Sequence, residues 1–110
     1  MEKKHDDHKY NGWTNYETWT VSLWLDNEEP SYRYWRNEAA RQRREASGLV
    51  QVRRGYWSET EAARFHLADQ LKEAITEAAP LKQPSLYSDL LSAALSEVNW
   101  NEIAEHWMSD

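Results

Sequence analysis

The chain has no cysteine, three glycines, three prolines and one phenylalanine among its 110 residues. Without cysteine it has no disulfide, no thiolate metal ligand and no thiol nucleophile, and the composition suits a reducing cytoplasm. The glycines stand apart at positions 12, 48 and 55, so no glycine-rich phosphate loop can form, and there is no G-x-S-x-G elbow. No apolar run approaches the about 18 residues of a membrane-spanning helix. The opening MEKKHDDHKY has no apolar stretch after its charges and does not read as a signal peptide.

Charge is unevenly distributed. The net value of −6 conceals a central segment, residues 32–57, with seven arginines, two glutamates and no lysine. Residues 1–31 hold three lysines against seven acids, and residues 58–110 three bases against ten acids. Arginine forks recognise carboxylate and phosphate bidentately, which lysine does not. Seven tryptophans and six tyrosines supply the large buried areas that a small domain needs.

The apolar spacing predicts one all-α domain of four to five helices over residues 10–110, preceded by a mobile tail at 1–9. In NGWTNYETW, Gly12 permits a tight turn, and Thr14 with Glu17 fits a capping box that starts a helix running to about Asn27. Tyr16, Trp19, Thr20 and Leu23 share one face, widened by Val21, Trp24 and Leu25. Pro30 restarts the chain for a second helix from about Ser31 to Ala46, with Tyr32, Trp35 and Ala39 inward and Gly48 as a left-handed cap. Leu49–Trp57 reads as a loop or extended segment, with a turn at Arg53-Arg54-Gly55. Ser58 and Glu61 form a second capping box, opening a helix to about Ala79 with Phe65, Ala68, Leu71, Ile75 and Ala78 as its stripe. After the PLKQP linker, Ser85 caps a helix with Tyr87, Leu91, Ala94 and Val98 at helical spacing. Asn99 and Glu102 then head a final helix whose stripe is Trp100, Ile103, Ala104 and Trp107. Trp19, Leu23, Leu71, Leu91, Ile103 and Trp107 are the expected core.

Two blocks, YNGWTNYETWTVSLWLDNE (10–28) and SDLLSAALSEVNWNEIAEHW (88–107), resemble a set of short, largely uncharacterised proteins carried by bacteriophages, plasmids and other mobile elements. The resemblance implies a genomic setting and no particular reaction. Both blocks are helix starts with aromatic anchors, and they are expected to pack together.

The chemistry-bearing residues do not form an enzyme constellation. His5-x-x-His8 lies in the polar tail, and His66 and His106 stand singly on helices. Glu102 and His106 lie one turn apart, but catalytic metal sites use three protein ligands; no metal, no cofactor and no catalysis are expected. The favoured reading is a protein-binding module, because tryptophan, tyrosine and arginine dominate interface hot spots and sorted charges steer association. Arg41, Arg43, Arg44, Arg53 and Arg54, with Tyr56 and Trp57, are its candidate contact residues. In a mobile-element setting the partner would be a host defence protein or nucleoprotein complex, inhibited by stoichiometric binding as an anti-CRISPR or anti-restriction protein does. A second reading uses the acids Asp26, Glu28, Glu29, Glu102 and Glu105 as a mimic of DNA phosphates. A third has the arginine and aromatic segment 33–57 bind nucleic acid directly.

Overall fold

The structure, a computed structural model, describes residues 10–109; the expected tail 1–9, with His5 and His8, lies outside them. Six α-helices follow in order: α1 (Tyr16–Asn27), α2 (Glu29–Glu45), α3 (Val50–Arg53), α4 (Glu59–Ala78), α5 (Leu86–Ser96) and α6 (Trp100–Met108). The protein is all-α, and none of these helices is long and apolar enough to cross a membrane.

The polypeptide enters α1 through a two-residue hairpin turn. Asn11 (φ 48°) and Gly12 (φ 89°) both take left-handed backbone, the pattern of a type I′ turn. The turn is closed by reciprocal backbone bonds, 2.6 Å from the Tyr10 N–H and 2.8 Å from the Trp13 N–H.

The expected Thr14–Glu17 box does not form. Asn15 is the cap: its Oδ1 accepts from the Thr18 N–H at 2.9 Å and from the Thr18 hydroxyl at 2.6 Å. Asparagine is at least as good a cap as threonine, and the Thr14 N–H is committed elsewhere, donating to Glu102 Oε1 at 3.0 Å. The partner block reciprocates. Asn99 Oδ1 accepts from the Glu102 N–H at 3.0 Å, the Asn99 N–H donates to Thr18 Oγ1 at 2.8 Å, and Asn15 Nδ2 donates to the Glu97 carbonyl at 2.7 Å. The starts of α1 and α6, over 80 residues apart in sequence, therefore cap one another around a fully buried Thr18. The two blocks pack as expected, through these hydrogen bonds and through the edge-to-face contact of Trp13 with His106, whose ring centroids lie 5.4 Å apart.

That clasp fixes which side of α1 faces inward. Thr18, Ser22 and Leu25 are buried, whereas Trp19 is half-buried and Leu23 exposed. Tyr10, Tyr16 and Trp19 stack on one another outside, with ring centroids 4.8–5.7 Å apart. The apolar face read from sequence is thus rotated outward, because Thr18 and Ser22 are small enough to let α1 approach the core and Thr18 has hydrogen-bond partners there.

The core lies between α2, α4 and α6 and includes Trp35, Leu67, Leu71, Ile103 and Trp107. Of the expected core residues, Leu71, Ile103 and Trp107 are buried, and Leu91 is half-buried. On α4 the inward side is Ala62, Ala63, Leu67, Ala68 and Leu71, so Ala78 is exposed and Phe65 half-buried. Ser58 and Glu61 form their capping box as expected, and Ser85 caps α5.

Segment 49–57 is irregular as expected apart from one helical turn at Val50–Arg53, and the chain turns at Arg54-Gly55. Ala46–Gly48 forms a 3-10 turn, and α3 follows. With no neighbouring strand to pair with, its backbone bonds itself: the Arg53 N–H to the Leu49 carbonyl at 3.0 Å and the Arg54 N–H to that of Val50 at 2.9 Å. Leu49, Val52 and Trp57 pack on a second small core of Ala46, Ala62 and Ala63. Gly48 is not left-handed; Gly55 is, at φ 79°.

Two substitutions separate these contributions. Thr18→Val preserves shape but strands the Asn99 N–H, and is expected to lower stability by about 1–3 kcal/mol. Trp107→Ala is expected to lower it by about 3–5 kcal/mol. Urea unfolding of both variants checks these values. Leu23→Ala, on the solvent face, should stay within about 0.5 kcal/mol of the parent.

Candidate interaction surface

The arginine-rich run begins on α2, where two kinds of arginine occur. Arg33 pairs with Glu29 at 3.3 Å, one helical turn away. Arg41 is held on both sides, by Glu38 and, at 3.3 Å, by Glu45. Glu38 also accepts from the Gln70 amide, whose Oε1 accepts from Gln42 Nε2 at 3.1 Å. The network Arg41–Glu38–Gln70–Gln42 ties α2 to α4. Arg41 is thus a structural arginine that positions the end of α2.

The others are differently placed. Arg43 and Arg44 occupy the last turn of α2, where cations complement the helix dipole. Arg43 Nη1 lies 3.9 Å from Met108 Sδ at the end of α6. Arg53 ends α3 and Arg54 caps it. Arg43, Arg44, Arg53 and Arg54 are exposed, and none forms an ion pair with a described carboxylate. Two acids near them in sequence are engaged: Glu45 serves Arg41, and Glu61 closes the Ser58 box.

A folded scaffold presents these guanidinium groups. Left-handed Gly55 turns the chain so that the Tyr56 and Trp57 N–H groups both reach the Gln51 carbonyl, at 2.8 and 3.2 Å. Trp57 then packs edge-to-face on Phe65 with centroids 4.9 Å apart. Of the two rings singled out in the sequence, Trp57 anchors the segment and Tyr56, 71 % exposed, is presented to solvent.

The alternative acidic surface is mostly occupied. Glu102 belongs to the α1–α6 clasp, Glu29 pairs with Arg33, and Asp26 lies 3.5 Å from His106 Nε2. Glu28 and Glu105 remain exposed without an ion pair to a described residue.

Two hollows complete the surface. A broad open cleft of about 900 Å³ runs between α4 and the start of α6, lined by Trp57, Phe65, Asp69, Lys72 and Trp100 among others. A smaller groove of about 220 Å³ lies between α1 and α5, with Tyr16, Thr20 and Val21 on one wall and Leu91, Ala94 and Leu95 on the other. This groove escaped the sequence reading, which assigned Leu91 to the core and placed Ala94 on the same stripe. The available signal was that the apolar side of α5 is wider than its expected stripe, with Leu86 and Leu90 lying off it and Ser88, Asp89, Ser92 and Ser96 opposite. Among the described residues, no three His, Asp or Glu side chains converge as a metal ion requires.

Arg41 and Gln70 hold the Glu38 carboxyl below the ordinary glutamate range, Arg41 being the larger cause. Because the folded value is the lower one, this carboxylate contributes stability above the unfolded glutamate value of about 4.3 and loses it as pH falls through the folded value. Glu38→Gln is therefore expected to lower stability by about 1 kcal/mol at pH 7, and the gap to the parent should close on acidification below about pH 4. Thermal melts across that range check it.

Residues 6–106 match a family of unknown function, DUF7249, and the chain belongs to it. No curated protein matches the chain, and neither does any solved structure.

Proposed function

We propose that this DUF7249 chain is a protein-binding module that acts by stoichiometric docking, with Arg44, Arg53, Arg54 and Tyr56 at its contact surface. The observation that carries the reading is that, among the described residues, these arginines form no ion pair with a carboxylate, although acids outnumber bases in the chain, 19 to 13. Such guanidinium groups, held on a packed segment, lose little freedom on meeting an acidic partner. Tyr56 beside them adds apolar area from a side chain with few rotamers.

The mobile-element setting implied by the two end blocks supports a finer reading. The partner is a host defence protein or nucleoprotein complex in the host cytoplasm, of the kind that anti-CRISPR and anti-restriction proteins block. Occupancy alone achieves the effect, without chemistry on the partner. The exposed arginines beside the exposed Tyr56 ring also support a second reading, in which the same surface tracks phosphates and stacks a base. The chain's overall acidity weighs against it, since flanking carboxylates repel a polyanion.

Capture from host cells with and without nuclease separates the two. A stoichiometric, nuclease-resistant protein partner is the expected result; recovery of nucleic acid alone supports the second reading instead. Arg53→Ala with Arg54→Ala should leave the melting temperature unchanged, as exposed arginines contribute about 0–1 kcal/mol to stability, and should abolish capture of the partner. Capture that survives the double change at physiological salt removes these arginines from the contact surface.

A further inference from the structure

Helix α5 is amphipathic, with Ser88, Asp89, Ser92 and Ser96 on its polar side, and its apolar side is at most half-buried. Its eleven residues, LYSDLLSAALS, carry one charge, Asp89, and none of them is buried. Tyr87, Leu90, Leu91 and Ala94 fall at i, i+3, i+4 and i+7, one continuous apolar face. Asp89 lies two residues from both Tyr87 and Leu91 and so points away from that face. The facing side of α1 is formed by Tyr16, Glu17, Thr20 and Val21, and Trp24 continues the spacing of Glu17, Thr20 and Val21 one turn on. Tyr16, Trp24, Leu86, Tyr87 and Leu90 are 54–68 % exposed. The α1–α5 groove lies between these two sides and closes on Val98.

We propose that this face is the contact between two copies of the chain, with α5 of each copy seated along the α1–α5 groove of the other about a two-fold axis. The geometry suits self-association because ridge and groove are neighbours on one surface. Leu86 and Leu90 project from α5 beside the groove that Leu91 and Ala94 line, so each copy offers what the other accepts, as an isologous contact requires. The charges agree. Glu17 is the one charged residue lining the groove, and no cation stands there to select an acidic ligand, so the fitting occupant is a nearly uncharged helix with an apolar side. Helix α5 is such a helix. Ala93 and Ala94 permit close approach of two backbones.

The area is sufficient. With aromatic side chains burying about 150–250 Å² when fully covered, the exposed parts of these five residues amount to about 500 Å² per copy. The two-fold contact then reaches about 1,000 Å², the lower limit for a specific interface. The proposal is independent of the arginine reading, whose residues lie on α2, α3 and the turn after α3.

Sedimentation of the full chain over micromolar to sub-millimolar concentrations tests it. The expected species has twice the 13.1 kDa of one chain. Leu90→Glu, at an exposed position, should leave the circular dichroism spectrum unchanged and raise the dimer dissociation constant at least about tenfold, through like charges brought together across the axis. Arg53→Ala with Arg54→Ala should leave the dimer intact, so failure of one proposal is distinguishable from failure of the other. Because the chain has no cysteine, Leu90→Cys or Ala93→Cys gives a clean reporter. Oxidation should link two copies through one of these positions and not through Asp69→Cys on α4, since a disulfide needs Cα atoms within about 7 Å. A parent chain that stays monomeric throughout, or a dimer indifferent to Leu90→Glu, or no cross-link at either position, overturns the proposal. It is equally overturned if the chain is monomeric and Leu90→Glu releases a different protein.

Discussion

The fold depends on where the Thr18 hydroxyl sits. It donates to the cap of its own helix, Asn15, and accepts the backbone N–H of the cap of α6, Asn99. One buried oxygen thus joins two helix starts, and the surrounding bonds from Thr14 to Glu102 and from Asn15 to Glu97 hold their angle. A helix N-terminus ordinarily leaves several donors for water or a local side chain to satisfy. Here two N-termini satisfy part of each other's need. The clasp sets α6 against α4, bringing Ile103, Ala104 and Trp107 into the core. It also turns the rings of α1 outward, because the side that carries Thr18 must face α6.

Helix existence and order were legible in the sequence because capping residues and apolar spacing are local. The Ser58–Glu61 box, the Asn99 cap and the buried side of α6 came through directly. The rotation of α1 was not legible. By hydrophobicity Trp19 and Leu23 belong inside, and only a partner from the other end of the chain makes Thr18 the better buried residue. The helical turn Val50–Arg53 inside the irregular segment 49–57 was missed for a related reason. Leu49, Val50 and Val52 favour strands, but a strand requires a neighbour, and the packing of Val52 and Trp57 on Ala62 and Ala63 favours a helical turn instead.

The candidate surface was legible as composition and not as pairing. Seven arginines in 26 residues are plain to see, and the i, i+3 and i, i+4 spacings of Glu38, Arg41 and Glu45 already offered Arg41 partners. The hold of Gln70 on Glu38 was invisible, since it joins helices 32 residues apart. So was the division of labour between Trp57 and Tyr56, which turns on Phe65 lying beneath one ring and not the other. The groove beside α5 was hidden by an assumption. A stripe of apolar residues predicts that something will cover it, but does not specify that the cover comes from the same chain.

The bond between residues 18 and 99 also dictates when in synthesis the protein can exist. A helical domain usually assembles from neighbouring contacts and begins folding as it leaves the ribosome. Here α1 has no partner for Thr18, and α4 no Ile103 or Trp107 to pack against, until residues 97–107 have been made. The first ninety or so residues therefore emerge with exposed tryptophans and wait. Any interruption of translation upstream of α6 yields a product whose main core lacks Ile103, Ala104 and Trp107. A complete message is thereby a condition of closing the main core.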